Sequence, residues 1–182
     1  MNQDQQFIDW LKSHFGEIRQ IESCLQGTTA PDTVVCESEE QGNPCFFANN
    51  HQDGFSVKNP TRKHIHLFAL DGCFFHPNDS KRCDCLVFDA HCCCFVELKL
   101  RVTRRQGSQK SSEAREQLGA TIHFFEAAMV TTTSDFFGLS REAYIVMQTN
   151  VYPRRSAARE TVFVQFLQSY KVPLFELNEK EF

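Results

Sequence analysis

The feature that most constrains the fold is the stretch at residues 81–100, which reads K-R-C-D-C-L-V-F-D-A-H-C-C-C-F-V-E-L-K-L. It predicts a hairpin of two short strands, at 83–88 and 93–100, with a turn at 89–91. Both runs are apolar or rich in β-favouring residues, and both have the length of strands. Because a hairpin pairs its two strands side by side, this stretch indicates the centre of a β-sheet.

Three charged residues interrupt the two apolar strands. Side chains two residues apart on a strand point to the same face, so Glu97 and Lys99 project together, with Leu98 on the opposite, buried side. Asp84 lies near the start of the first strand and Glu97 near the end of the second, and a hairpin places these two ends side by side. Two carboxylates and a lysine then converge, which predicts a site for a hard metal ion with a cation beside it.

Each of these charged residues also has an ordinary interpretation. A Glu-x-Lys pair on a strand is commonly a solvent-exposed face, because charged side chains are mostly exposed. Asp84 would then be a simple strand-start or turn residue. The apolar strands around the three residues, the position of Asp84 and a matching helix downstream favour the site.

The length and composition indicate one globular domain spanning residues 1–182. A chain of 182 residues can bury a substantial core, and 41% of its residues are hydrophobic. The core is predicted at 64–150, and residues 26–60 are polar and turn-rich, which indicates a loop-rich excursion. The net charge of −4 argues against a protein that coats nucleic acid non-specifically, but it leaves room for a local basic cleft.

Hydrophobic periodicity assigns helices and strands along the chain. The predicted elements are, in order, a helix at 4–24 that Gly16 can interrupt, strands at 33–36, 44–48 and 55–58, a strand at 64–75, the hairpin, a helix at 112–130, a strand at 142–149, a helix at 160–170 and a short strand at 173–177. The strands at 44–48 and 55–58 are predicted to pair with each other. The polar stretch at 101–112 is predicted to be a flexible connection, with Ser111 or Ser112 capping the next helix.

The nine cysteines stand in a chain whose N-terminus, M-N-Q-D-Q-Q, is polar and has no signal-peptide pattern. We therefore expect a cytoplasmic protein with reduced thiols and without a disulfide framework. No apolar run in the sequence is long enough to span a membrane, so we expect no membrane partner.

The run H-C-C-C at 91–94, with Cys83 and Cys85 on the facing strand, invites a zinc interpretation. Zinc ligands usually stand two to four residues apart so that both reach the ion. Adjacent residues of a strand point to opposite faces, so at most Cys92 and Cys94 share one face. The pattern is more typical of small apolar thiols in a strand core, and a zinc-stabilised adaptor is kept as an alternative function.

The order helix, three-strand meander, helix, strand, together with Asp84 and Glu97-x-Lys99, resembles the PD-(D/E)XK nuclease superfamily over residues 64–150. The resemblance implies an α/β (α+β) fold of the restriction-endonuclease-like kind, with a mixed central sheet, an αβββαβ core and flanking helices. One departure is that Asp84 follows Cys83, where the namesake pattern has proline.

The resemblance also assigns chemistry to these residues. Asp84 and Glu97, with the backbone carbonyl of Leu98, would hold one or two Mg²⁺ or Mn²⁺ ions through oxygen ligands. Lys99 would position or deprotonate the attacking water and help balance the pentavalent oxyanion. Gln117, on the following helix, matches a glutamine that faces the site in several branches and would orient water or phosphate; otherwise it is a polar flank of the helix.

Other charged residues extend this prediction. Glu17 or Glu22, on or beside the first helix, could supply a further metal ligand, although both also fit ordinary surface charges. The basic segment after the hairpin could hold the nucleic-acid backbone, independently of base sequence, through Arg101, Arg104, Arg105, Lys110 and Arg115. The expected partner is nucleic acid, DNA more than RNA, with a homodimer or a partner protein supplying specificity.

The leading prediction is a metal-dependent nuclease that hydrolyses phosphodiester bonds of DNA or RNA, of the restriction, defence or mobile-element type. The alternative is a nuclease-like fold that has become a catalytically silent binding or assembly subunit. The intact set of Asp84, Glu97 and Lys99 favours the nuclease, because a pure binding module has no need of it.

Overall fold

Two β-sheets and four α-helices are formed by the residues that this computed structural model describes, which are 2–16, 21–38, 44–49, 53–76, 79, 82–129, 135–148, 151–152 and 156–182. The helices are α1 (Gln3–Phe15), α2 (Ile21–Cys24), α3 (Gly107–Met129) and α4 (Ala157–Tyr170), with a 3₁₀ turn at Asp135–Gly138. The strands are β1 (Leu25–Thr28), β2 (Asp32–Glu37), β3 (Cys45–Ala48), β4 (Phe55–Lys58), β5 (Ile65–Ala69), β6 (Cys85–Phe88), β7 (Cys92–Lys99), β8 (Ser140–Met147), β9 (Leu174–Phe175) and β10 (Glu179–Glu181).

The larger sheet has six strands in the order β1-β5-β6-β7-β8-β9. Strands β5, β6 and β7 form an antiparallel meander, and β8 and β9 extend it in parallel. Parallel neighbours need a long connection, and α3 supplies it between β7 and β8. The elements α1, β5, β6, β7, α3 and β8 therefore follow the predicted α-β-β-β-α-β order, with α2 and β1–β4 inserted after α1. The expected mixed α/β class, with a mixed central sheet, is confirmed.

The predicted hairpin consists of β6 and β7, joined by residues 89–91. Asp89 closes the turn, because its Oδ1 accepts hydrogen bonds from the backbone N–H groups of His91 and Cys92, each at 2.8 Å. Every residue of β7 from Cys92 to Leu98 is buried. A strand that is covered on both faces shows no alternation of polar and apolar residues, which explains the unbroken apolar run at the start of β7.

Both faces of the central sheet are covered. On one face, Phe7 of α1 lies against Phe88, and Phe125 of α3 lies against Phe95, with ring centroids 5.1 and 6.4 Å apart. On the other face, the smaller sheet packs through a separate apolar cluster that includes Val57. In the described ranges, no helix has both the length and the apolar composition needed to cross a membrane.

The segment predicted as a loop-rich excursion contains most of the smaller sheet. The four strands of this sheet have the order β10-β4-β2-β3. The prediction that β3 and β4 pair with each other is wrong, since each pairs antiparallel with β2. Strand β10, near the C-terminus, adds in parallel to β4, and β1 joins the larger sheet beside β5. Runs of four to six residues carry little information about their partners, because strand pairing depends on tertiary packing.

Helix α3 begins earlier than its sequence pattern indicates. The stretch predicted as a flexible connection includes the first turn of the helix, which starts at Gly107. Ser111, predicted as a helix cap, lies inside the helix and is buried, where its hydroxyl donates to Glu176 Oε1 at 2.8 Å. The strand predicted to continue to residue 75 ends at Ala69, and the chain turns at 72–74.

Cys24 and Cys73 form a disulfide bond, which corrects the expectation of reduced thiols for these two residues. The bond joins the end of α2 to the turn after β5, and the other seven cysteines are free and buried. The backbone N–H groups of Leu70 and Asp71, at the start of that turn, donate to the Asp84 carbonyl at 2.8 and 3.2 Å. The disulfide therefore anchors the turn against which Asp84 is held.

We expect Cys73→Ala to lower the free energy of unfolding by about 2–4 kcal/mol, because the disulfide closes a long loop and restricts the unfolded chain. The two cysteines are 49 residues apart. Denaturant unfolding followed by circular dichroism measures the change, and Cys45→Ala, which removes a buried free thiol, is the matched control. Added reductant should abolish the difference between the wild type and Cys73→Ala. A difference that persists in reductant would contradict a stabilising role for the bond.

Candidate functional site

Asp84 and Glu97 lie side by side at one end of the hairpin. Cys85 pairs with Val96 in the β6–β7 register, and the Asp84 N–H donates to the Val96 carbonyl at 3.1 Å, so Asp84 lies just before β6, next to Glu97. Both side chains are buried, with 7% of Asp84 and none of Glu97 exposed. The interpretation of Glu97 as part of a solvent-exposed face is therefore wrong.

The Lys99 side chain connects the hairpin to α3. Its Nζ donates to Glu97 Oε1 in a largely buried ion pair and to Gln117 Oε1 at 3.0 Å. Gln117 in turn donates from Nε2 to the Arg82 carbonyl at 3.1 Å, two residues before Asp84. The structure thus brings together, at the end of β7, the residues that the resemblance assigned to one site.

Hydrogen bonds to the backbone hold Asp84 beside β7. Its Oδ2 accepts from the Leu98 N–H at 2.5 Å, so the backbone of Leu98 lies next to the carboxylate. On the helix side, the Cys83 N–H donates to Thr121 Oγ1, and the Thr121 hydroxyl donates to the Gln117 carbonyl, both at 2.8 Å. One turn of α3 therefore fixes the residue before Asp84 and presents Gln117 to the site.

Burial makes the two carboxylates weak acids. It raises the pKa of Asp84 from 3.8 to about 7, against the opposing effects of the Lys99 ammonium and the Leu98 N–H. It also raises the pKa of Glu97 well above its ordinary value, and the nearby Asp84 carboxylate adds to the increase. Burial lowers the pKa of Lys99, but the Glu97 and Asp84 carboxylates outweigh this effect and raise the pKa. A divalent cation bound between the two groups would lower both pKa values and favour the ionised carboxylates.

One oxygen of the Glu97 carboxylate has no hydrogen-bond partner within the described part of the chain. Oε1 accepts from Lys99, whereas Oε2 is buried and unpaired. Buried polar atoms are nearly always paired, because leaving one without a partner costs about 1–3 kcal/mol. A buried, unpaired carboxylate oxygen beside a second carboxylate suits a cation such as Mg²⁺ or Mn²⁺, which takes oxygen ligands.

Two acidic residues that the sequence pattern did not indicate lie close to this group. Glu37, the last residue of β2, is half-buried; burial raises its pKa, and the Lys99 and Arg101 charges oppose the increase. Asp71, in the turn after β5, contributes to the raised pKa values of both buried carboxylates. Glu37 comes from the smaller sheet, so no local signal could place it, and the Asp71-Gly72 dipeptide indicated only a turn.

The basic residues predicted to contact nucleic acid lie after β7 and along the start of α3. Three of them are exposed, namely Arg101, Arg104 and Arg105. Lys110 is engaged in an ion pair within α3, and Arg115 donates to Ser111 Oγ at 2.7 Å. A cleft of about 360 Å³ beside this segment is lined by Arg101 and Glu37, among other residues. Arg101 therefore lies beside Glu37, close to the site, whereas Lys110 and Arg115 already have partners.

Neither of the two candidates for a further metal ligand, Glu17 and Glu22, is placed at the site by the described residues. Glu17 lies outside the described residues. Glu22 is exposed and pairs with Lys12, at 3.3 Å between Oε1 and Nζ. This surface ion pair fits the interpretation of Glu22 as an ordinary surface charge.

The four cysteines considered as zinc ligands lie at two different ends of the hairpin. Cys92 and Cys94 share one face of β7, with their sulfurs 3.8 Å apart. Cys83 and Cys85 lie at the other end of the hairpin, where Cys85 forms a hydrogen bond with Cys45. Among the described residues, the four thiols do not come together as one group of ligands.

The chain matches no protein-family model, no curated protein and no solved structure at a significant level of similarity. The resemblance to PD-(D/E)XK nucleases therefore depends on the order of the secondary-structure elements and on Asp84, Glu97, Lys99 and Gln117. These four residues, in which two buried carboxylates share one ammonium beside the central sheet, constitute the candidate site.

Proposed function

We propose that this protein is a metal-dependent nuclease that hydrolyses phosphodiester bonds of nucleic acid, with DNA favoured over RNA. The observation that carries the proposal is the meeting of two buried carboxylates, Asp84 and Glu97, with a single ammonium, that of Lys99. Buried charges are normally paired or bind a metal ion, and here the carboxylates outnumber the ammonium. The restriction-endonuclease-like arrangement of the central sheet belongs to the same proposal.

The residues of the site fit Mg²⁺ or Mn²⁺. The carboxylates of Asp84 and Glu97 would hold the ion, and the unpaired Glu97 Oε2 supports this assignment. The Leu98 carbonyl would be a further ligand of the ion. The N–H and C=O groups of one strand residue point toward the same neighbouring strand, and the Leu98 N–H contacts Asp84, so the Leu98 carbonyl faces the same side of β7. When bound, the ion would lower the pKa of a water ligand and stabilise negative charge on the phosphate.

Lys99 would stabilise charge on the phosphate and position the attacking water. Its ammonium lies at the end of β7 with 17% of the side chain exposed, so it can reach a bound phosphate while Glu97 holds it in place. Because its pKa is raised, Lys99 stays protonated at neutral pH and donates hydrogen bonds instead of accepting a proton. Gln117, which is fixed by its bond to the Arg82 carbonyl, keeps the ammonium oriented.

The exposed basic residues after β7 would bind the nucleic-acid backbone. Arg101, Arg104 and Arg105 lie close to the site in sequence and are exposed, so they could contact phosphates, which bind through charge and not through base identity. Since the whole chain has a net charge of −4, this binding would be confined to the local basic surface.

The test is a pair of assays, cleavage and filter binding, on the same single- and double-stranded DNA and RNA at two salt concentrations. We expect cleavage with Mg²⁺ or Mn²⁺ and no cleavage in the presence of a chelator. Binding without cleavage, whatever divalent metal is supplied, would favour the alternative in which the nuclease-like fold is a binding or assembly subunit. The absence of both binding and cleavage would contradict the nuclease and would also contradict a subunit that binds nucleic acid.

A further inference from the structure

A second group of metal-ligand side chains lies at the opposite end of β7 from Glu97 and Lys99. Cys92 and Cys94 are two residues apart on the strand, so their thiols share one face, and their sulfurs are 3.8 Å apart. Glu142 stands beside Cys94 on the parallel strand β8, with Oε2 at 4.0 Å from Cys94 Sγ. The three ligand atoms all lie within 4.8 Å of one another.

We propose that Cys92, Cys94 and Glu142 form a binding site for a soft divalent metal ion of the Zn²⁺ type. Tetrahedral zinc binds thiolates at about 2.3 Å, which places two thiolate sulfurs about 3.8 Å apart. The observed separation of the sulfurs is 3.8 Å, so the thiols are spaced for zinc without movement of β7. A carboxylate oxygen is a common third ligand, and the fourth position is left to a solvent molecule.

The donor atoms decide the class of metal. Two sulfurs select soft or borderline cations, whereas Mg²⁺ and Mn²⁺ prefer oxygen ligands. The group is therefore chemically distinct from the carboxylates of Asp84 and Glu97, and either site can exist without the other. The sequence pattern indicated that Cys92 and Cys94 share a face, but it could not indicate Glu142, because Glu142 meets the cysteines only through the pairing of β7 with β8.

The surroundings of Glu142 support its role as a ligand. The Tyr144 hydroxyl donates to Glu142 Oε2 at 2.6 Å, and Lys180 Nζ contacts the two carboxylate oxygens at 2.9 and 2.8 Å. Hydrogen bonds of this kind orient ligating carboxylates in metal sites. Two thiolates and one carboxylate around a divalent ion leave one net negative charge, which the Lys180 ammonium offsets.

The position of the site gives metal binding a structural effect. Lys180 belongs to β10 of the smaller sheet, whereas the three ligands belong to the central sheet. A bound ion would hold Glu142 in place and so strengthen the contact between the two sheets at this end. Binding releases one proton from each thiol to the solvent, so the affinity for the metal should rise with pH.

The test is titration of the full-length, metal-free protein with Co²⁺ under anaerobic conditions, followed by displacement with Zn²⁺. We expect one equivalent of Co²⁺ to produce the thiolate-to-metal charge-transfer absorption of a tetrahedral site and Zn²⁺ to abolish it. Zn²⁺ should also raise the melting temperature. Cys92→Ser should remove the absorption, and Glu142→Gln should weaken Co²⁺ binding by about tenfold or more.

Cys93→Ala is the matched control, because Cys93 is a buried thiol of the same strand that lies in the other core cluster, on the opposite face of β7. This variant should keep the absorption. Asp84→Asn should keep it as well, which separates this site from the proposed nuclease site. A wild-type protein without the charge-transfer absorption, or a loss in Cys93→Ala equal to that in Cys92→Ser, would overturn the proposal.

Discussion

Lys99→Ala is expected to abolish cleavage while leaving nucleic-acid affinity nearly unchanged. The Lys99 ammonium is a single charge at the site, held between Glu97 and Gln117, whereas affinity would be spread over the arginines and lysines that follow β7. Removing one group that stabilises the transition state typically reduces the rate by about a hundredfold or more. Cleavage and filter binding on the same substrates, at two salt concentrations, measure both quantities.

Lys63→Ala is the matched control, because Lys63 also pairs with a buried carboxylate, that of Asp89 at 3.4 Å, but at the turn end of the hairpin. It should cleave like the wild type. The double variant Arg104→Ala/Arg105→Ala should show the reverse of Lys99→Ala, with weaker binding and a flatter salt dependence. Cleavage by Lys99→Ala at the wild-type rate would mean that another site or a contaminant is responsible.

Asp84→Asn is expected to abolish metal-dependent cleavage and to stabilise the metal-free protein at neutral pH. Burial raises the pKa of Asp84 from 3.8 to about 7, so the folded protein binds this proton more tightly than the unfolded chain does. The stabilisation from that proton is complete below pH 3.8 and is lost as the pH rises through about 7. Asparagine does not titrate. The free energy of unfolding of the variant should therefore exceed that of the wild type by up to about 4 kcal/mol above neutral pH, and the two values should be equal in acid.

Mn²⁺ should reduce this difference in the free energy of unfolding, because it should stabilise the wild type and not Asp84→Asn. At about a hundredfold excess over its dissociation constant, a bound ion stabilises the folded state by about 2.7 kcal/mol. Urea unfolding at several pH values, with and without Mn²⁺, measures both effects. Asp89→Asn is the matched control, because Asp89 is also a buried aspartate of the hairpin and its variant should keep the response to Mn²⁺. If Mn²⁺ stabilised the wild type and Asp84→Asn equally, this result would contradict a role for Asp84 in binding the metal.

The part of the site that could be predicted from the sequence is the part built from neighbouring residues. Glu97 and Lys99 share a face because side chains alternate along a strand, and Asp84 meets Glu97 because a short turn brings the two strands together. Gln117 could be assigned only by its position on the following helix. Its hydrogen bond to Lys99 depends on how α3 packs on the sheet.

The electrostatics of the site required the tertiary structure. The pKa values of Asp84 and Glu97 are raised because packed layers on both faces of the sheet remove these carboxylates from water. Glu37 reaches the same region from the smaller sheet, and its sequence neighbourhood indicated a loop. Glu142 likewise meets Cys94 only because β7 and β8 pair in parallel, with α3 between them along the chain.

The types of most secondary-structure elements, the hairpin and the set of Asp84, Glu97 and Lys99 could be predicted from the sequence, because these depend on periodicity and on contacts between near neighbours. The pairing of the smaller sheet could not be predicted in this way, since β10 from the C-terminal region joins strands from the first third of the chain. The same holds for the Cys24–Cys73 disulfide, which spans 49 residues. The physical reason is that these features depend on which distant segments meet, and a short strand does not encode its partner.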